Sequence, residues 1–188
     1  MATVVRHRFS VEDYERMGRA GILREDDRVE LIDGEIVDMP PIGSGHAGCV
    51  KWLANALARS VGGSAIVAVQ DPLCLGEHSQ PQPDVLLLRW RDDHYRRAHP
   101  MAGDVLLLVE VAESSAAYDR QVKVPLYARH GVTEVWLVDL EAGTVEVYRR
   151  PQGDGYGQVR VLGRGERVSP SAFPALELQV DDILGPEG

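Results

Sequence analysis

The chain of 188 residues is long enough to bury one sizeable core, and 44% hydrophobic with 26% charged residues is ordinary globular composition, not that of a disordered or fibrous protein. A formal net charge of −9 argues against a protein that coats nucleic acid nonspecifically, because that affinity comes from neutralised phosphates. No apolar run approaches a membrane span, and MATVVRHRFSVEDYERM lacks the apolar stretch of a signal peptide, so a cytoplasmic protein is expected.

Ser10, with Asp13 three residues on, resembles a capping box, so FSVEDYERMGRAGI is predicted as a first helix closed near Gly21. In RVELIDGEIVDM, apolar residues alternate on either side of Asp33 and Gly34, a dipeptide that supplies the positive φ angles of a type I′ turn. A hairpin follows, ended by Pro40 and Pro41. Val50, Leu53, Ala54, Leu57 and Val61 recur at helical spacing and predict a second helix from about Ser44 to Gly62. Strands are expected in SAIVAVQDPLCL, DVLLLRW and DVLLLVEVA, the last two apolar on both faces as in the central strands of a covered sheet. A helical segment from about Tyr118 to His130 contains Pro125, which must kink it or lie in its first turn. TEVWLVDL and GTVEVYRR pair as strands through a turn at Glu141, Ala142 and Gly143, YGQVRVL is a further strand candidate, and the rest reads as a short polar tail. Nothing divides the chain, so residues 1–188 are expected to form one α/β domain, a mixed β-sheet flanked by helices with an N-terminal helix and β-hairpin. Cys49 and Cys74 have neither CxxC spacing nor a histidine pair, and are expected to be reduced core thiols.

Three polar residues stand where hydrocarbon is expected. Asp84 follows Pro83 and opens DVLLL, and Glu110 lies inside VLLLVEVA. Burying an ionised carboxylate costs several kcal/mol unless a partner or metal compensates it. Lys123, one of two lysines beside eighteen arginines, follows on the next helical segment. A divalent cation held by carboxylates can position water and stabilise charge gathering on a phosphate. Magnesium prefers oxygen ligands, which Asp84, Glu110, the Val111 carbonyl and waters could supply. Lys123 could orient or deprotonate the attacking water or neutralise developing charge.

PDVLLL and LLLVEVAESSAAYDRQVKVPLYARHGVTEVWLVDL resemble the Uma family of putative restriction endonucleases within the PD-(D/E)XK nuclease superfamily. RVELIDGEIVDMPPIGSGH resembles the family's N-terminal segment and SPSAFPALELQVDDIL its usual ending, so the resemblance runs from about Phe9 to Leu184. It implies a restriction-endonuclease-like sheet flanked by helices, a metal held by Asp84 and Glu110, and a lysine essential for cleavage. The position two after Glu110 is Ala112 instead of lysine. The resemblance therefore implies that Lys123, displaced to the following helix, stands in. It also implies that Glu30 of VELIDGE is a third acid near the same metal, although an alternating hairpin would equally put that residue on a solvent face. Asp119 and Tyr127 match the pattern and are expected to orient Lys123 or pack beside it.

Secondary candidates are His46, which at a helix start is more often solvated, and Gln70 with Asp71, for which a turn role before Pro72 is at least as good a reading. Ser114 and Ser115 lack a GxSxG elbow and read as helix capping. The arginines and aromatics of RWRDDHYRRAHP suit phosphate contact and base stacking, though a solvated loop is the simpler reading. The combined expectation is an endonuclease dependent on Mg2+, with Mn2+ as substitute, acting on DNA as a homodimer, since two symmetric sites cut a duplex most simply. Two other readings stand beside it: a catalytically silent homo-oligomeric binding module, and a metal-dependent phosphodiesterase for RNA or small substrates.

Overall fold

A computed structural model describes residues 5–24 and 26–186. The chain opens with helix α1 (Val11–Arg19), hairpin strands β1 (Val29–Ile32) and β2 (Glu35–Asp38), and helix α2 (Ser44–Val61). The capping box at α1 is complete: Ser10 Oγ accepts from the Asp13 amide at 3.1 Å, and Asp13 Oδ2 accepts from the Ser10 amide at 3.2 Å. Asp33 and Gly34 take φ values of 49° and 81°, as the hairpin turn requires.

The apolar runs then build one sheet. Ala65–Val69 (β3), Val85–Arg89 (β4), Val105–Ala112 (β5), Glu134–Asp139 (β6), Thr144–Gln152 (β7) and Gly155–Leu162 (β8) lie side by side in that order. All neighbours are antiparallel except β5 and β6, which are parallel. A parallel pair needs a crossover, and here it is helical: α3 (Ala116–Tyr118), a π-helical turn at Asp119–Lys123, and α4 (Val124–Arg129). Pro125 lies in the first turn of α4, one of the two placements its missing N–H allows.

Alternation along the strands feeds two cores. On one face Leu53 and Leu57 of α2 pack with Leu87, Leu107, Val109 and Trp136. On the other, Leu126 and Tyr127 of α4 and Ile32 of the hairpin pack with Leu86, Leu108 and Leu137. The mixed sheet flanked by helices is thus the expected architecture.

Three sequence expectations need correction. The strand in SAIVAVQDPLCL stops at Val69, because Gln70 turns away with φ 55° and Pro72 forbids the ladder; Cys74 lies outside any strand, in an isolated bridge to Met101. Residues after β8 are no polar tail. They form β9 (Arg167–Val168), β10 (Leu178–Gln179) and α5 (Val180–Leu184), and bury Val168, Leu178, Val180 and Ile183 in the first core. Finally, β1 does not alternate, since all four of its residues are buried. Both cysteines are free. Among the described residues no helix is long and apolar enough to cross a membrane.

Leu53 is fully buried between α2 and the sheet. Leu53→Ala is expected to lower unfolding free energy by about 3 kcal/mol in urea denaturation, the usual cost of a core cavity.

Candidate active site

Sheet register assembles the acids. Val69 pairs with Val85, and Val85 with Val109. One residue further along all three strands comes the row Gln70, Asp84, Glu110, with the Gln70 amide donating to the Asp84 carbonyl at 3.2 Å. Alternation turns Glu110, like Leu108 and Ala112, to the α4 face.

Asp84 is held by three donors. The Val111 amide donates to Oδ2 at 2.9 Å, His46 Nε2 lies 3.0 Å from the same oxygen, and Gln70 Nε2 donates to Oδ1 at 3.1 Å. Val111 thus meets the site through its N–H. His46, predicted as more often solvated, is drawn in from α2 instead, and its Nδ1 is buried without a partner.

Glu110 is 3% exposed, and its Oε1 faces the Lys123 ammonium at 3.3 Å and accepts from the Tyr127 hydroxyl. Among the described residues Oε2 receives no hydrogen bond. Lys123 also lies 3.0 Å from Glu30 Oε1, and Glu30 Oε2 accepts from the Gln82 amide at 3.2 Å. Glu30 is 2% exposed, so the solvent-face reading of this position is wrong. The hairpin lies against the segment after β3, where Leu31 bridges to Gln80, and that covers what alternation alone would leave open.

The crossover presents Asp119, Lys123 and Tyr127 as one buried stripe, four residues apart. Asp119 Oδ2 accepts from Ser115 Oγ at 2.7 Å, so Ser115 binds this carboxylate and makes no capping bond at the helix start. Tyr127 donates to Glu110 Oε1, the same oxygen that Lys123 faces. Arg120 points the other way and bonds Glu146 at 2.6 Å and Asp139 at 2.8 Å, tying the π turn to β7 and β6.

Burial pushes the Glu110 carboxyl up to about 8, against the pull of Lys123. Burial alone would lower Lys123, but Glu110, Glu30 and Asp119 overcome it and hold the ammonium above the ordinary lysine range. His46 is raised chiefly by its hydrogen bond to Asp84, and Asp119 by burial. The groups open onto a cavity of about 480 Å³ whose rim includes Met39, Pro40, Pro41 and Ile42. Seven lining residues are Asp or Glu, against Arg28, Lys123 and His46, so the cavity repels anions unless a cation enters first.

The structure thus brings Asp84, Glu110, Lys123, Glu30, Val111, His46, Gln70 and Asp119 to one cavity, with Tyr127 buried behind it. Sequence reasoning missed Gln82, whose side chain also donates to the Val29 carbonyl, and Glu113 at the mouth. The position of Gln82, directly before Pro83 and Asp84, was the available signal. RWRDDHYRRAHP falls at the far end of β4, where Arg91 bonds Asp93 and lies over the Tyr95 ring at 4.3 Å, and Trp90 donates to Asp92.

The sequence profile of the Uma2 family, described as "Putative restriction endonuclease", matches residues 11–181. No curated protein matches the chain. Among solved structures it is similar to the crystal structure of a putative nuclease belonging to DUF820 from Anabaena variabilis, with a TM-score of 0.73 and 19% identity over 94% of this chain and 97% of that one.

The raised Glu110 carboxyl has a consequence for stability. Between its ordinary 4.5 and about 8, the native protein holds a proton that the unfolded chain has lost, so stability falls as pH rises through that window. In metal-free buffer the urea midpoint is expected to drop from pH 5 to pH 8, and Glu110→Gln to flatten that part of the slope. An unchanged slope in the variant would contradict the assignment.

Proposed function

Because the chain belongs to the Uma2 family, described as "Putative restriction endonuclease", we propose that it is a divalent-metal-dependent endonuclease that hydrolyses DNA phosphodiester bonds. The observation that carries this reading is the convergence of Asp84, Glu110 and the Lys123 ammonium on one acidic cavity, with Lys123 3.3 Å from Glu110. A nuclease-like fold supports it.

The donor set fits a hard divalent cation. Among the described residues no group of three or more His, Cys, Asp or Glu side chains could cage a metal. Magnesium does not need a cage; it is ordinarily bound through one or two carboxylates, with water and substrate oxygens completing its shell. Asp84 and Glu110 Oε2 would hold Mg2+ or Mn2+, with the Val111 carbonyl as a further oxygen. When bound, the cation would supply an acidified water and charge stabilisation at the phosphate.

The chain's own groups divide the remaining work. Tyr127 and Lys123 occupy Glu110 Oε1 and leave Oε2 for ligation. Lys123, pinned between Glu110 and Glu30, keeps its proton; its role is that of a fixed positive charge beside the phosphate and not that of a base. Glu30 holds this ammonium in place instead of binding the metal directly. A lysine remote from the carboxylates would have favoured the silent module, and Lys123 instead lies 3.3 Å from Glu110. Cutting both strands of a duplex favours a two-fold pair of these sites, and a homodimer belongs to the proposal.

Purified protein with Mg2+ or Mn2+ is expected to nick supercoiled plasmid, and EDTA to stop it. Asp84→Ala, Glu110→Ala and Lys123→Met should each lower the rate by about 100-fold or more, as loss of transition-state charge stabilisation does. Wild-type rates in these variants would overturn the proposal. Cleavage of RNA but not DNA would redirect it to the phosphodiesterase reading.

A further inference from the structure

Gln70 is attached to Asp84 twice, by its backbone amide at 3.2 Å and its side-chain amide at 3.1 Å. It also sits at φ 55°, where a residue with a Cβ is strained. Among the described residues five non-glycines take a positive φ, and of these Gln70 alone lines the acidic cavity. A turn that must leave β3 before Asp71 and Pro72 would be made most cheaply by glycine. The side chain at this position therefore needs a reason beyond the turn.

The reason is at Asp84. His46 and the Val111 amide both address Oδ2 and leave Oδ1 to another donor. Gln70 is the donor that reaches Oδ1. Its amide is neutral, so it orients the carboxylate without cancelling the negative charge, as an arginine or lysine there would. The strained backbone is what returns the side chain over the strand it has just paired with, toward the residue directly opposite.

We propose that Gln70 is a positioning residue that fixes the plane of the Asp84 carboxylate for cation binding, and that its left-handed backbone is retained for this purpose. The inference deepens the metal-dependent reading of the same cavity and rests on it.

The test separates turn from donor. Gln70→Ala keeps the strain and loses the amide; Gln70→Gly relieves the strain and loses the amide. Mn2+ affinity would be titrated by electron paramagnetic resonance, and thermal midpoints recorded without metal, for both variants, wild type and Asp84→Ala. Gln70→Gly is expected to melt above Gln70→Ala, yet both should bind Mn2+ about 10-fold or more weakly than wild type, the usual effect of losing a partner that orients a metal ligand. Wild-type affinity in Gln70→Gly would mean that Gln70 only makes the turn, and would overturn the inference while leaving the metal reading intact. Absence of Mn2+ binding by wild type, or equal binding by Asp84→Ala, would overturn the metal reading and this inference together.

Discussion

One ammonium holds the site together. Lys123 lies 3.0 Å from Glu30 and 3.3 Å from Glu110, in surroundings where each carboxylate alone would be expelled or protonated. Its two partners come from different layers: Glu30 from the hairpin, Glu110 from the middle of the sheet. The same charge therefore docks the hairpin, fixes the crossover and sets the charge state of the cavity. Replacing such a cluster with hydrocarbon would often stabilise a protein, so its presence reflects what the cavity does more than what the fold needs.

The crossover that carries Lys123 is itself gripped from two sides. The stripe Asp119, Lys123, Tyr127 faces the cavity, while Arg120 reaches to Glu146 and Asp139 on β7 and β6. A π turn widens the helix by about one residue per turn and is common at functional sites. Neighbouring residues 119 and 120 here serve different clusters. Rotation of this segment would break both at once, and so the lysine is held through β6 and β7 as well as by its own ion pairs.

Much of this was readable from the chain. The acids at 84 and 110 were conspicuous because apolar strands have no ordinary use for them, and the capping box, the Asp33-Gly34 turn and the apolar stripe of α2 are local patterns. What could not be read was non-local. The burial of Glu30 depends on a bridge to Gln80, far along the chain. The partner of Tyr127 depends on how α4 lies over β5, which helical spacing does not encode. The terminal β9, β10 and α5 place few apolar residues at irregular spacing among prolines, so no period announces them. Gln70 looked like a turn residue and is one, but its alignment with Asp84 and Glu110 required the register of three strands.

That alignment makes sheet register a condition of chemistry. A slip of one residue in β4 would take Asp84 out of the row it shares with Gln70 and Glu110 and turn its side chain over. The groups arrive in the chain far apart: Glu30 early, Asp84 and Glu110 midway, Lys123 on the crossover. A nascent chain that ends before the crossover carries the acids without their ammonium, and long-range pairing is the slow part of folding. For a protein proposed to cut DNA, competence is thus withheld by topology during synthesis, and only the finished sheet assembles the complete set.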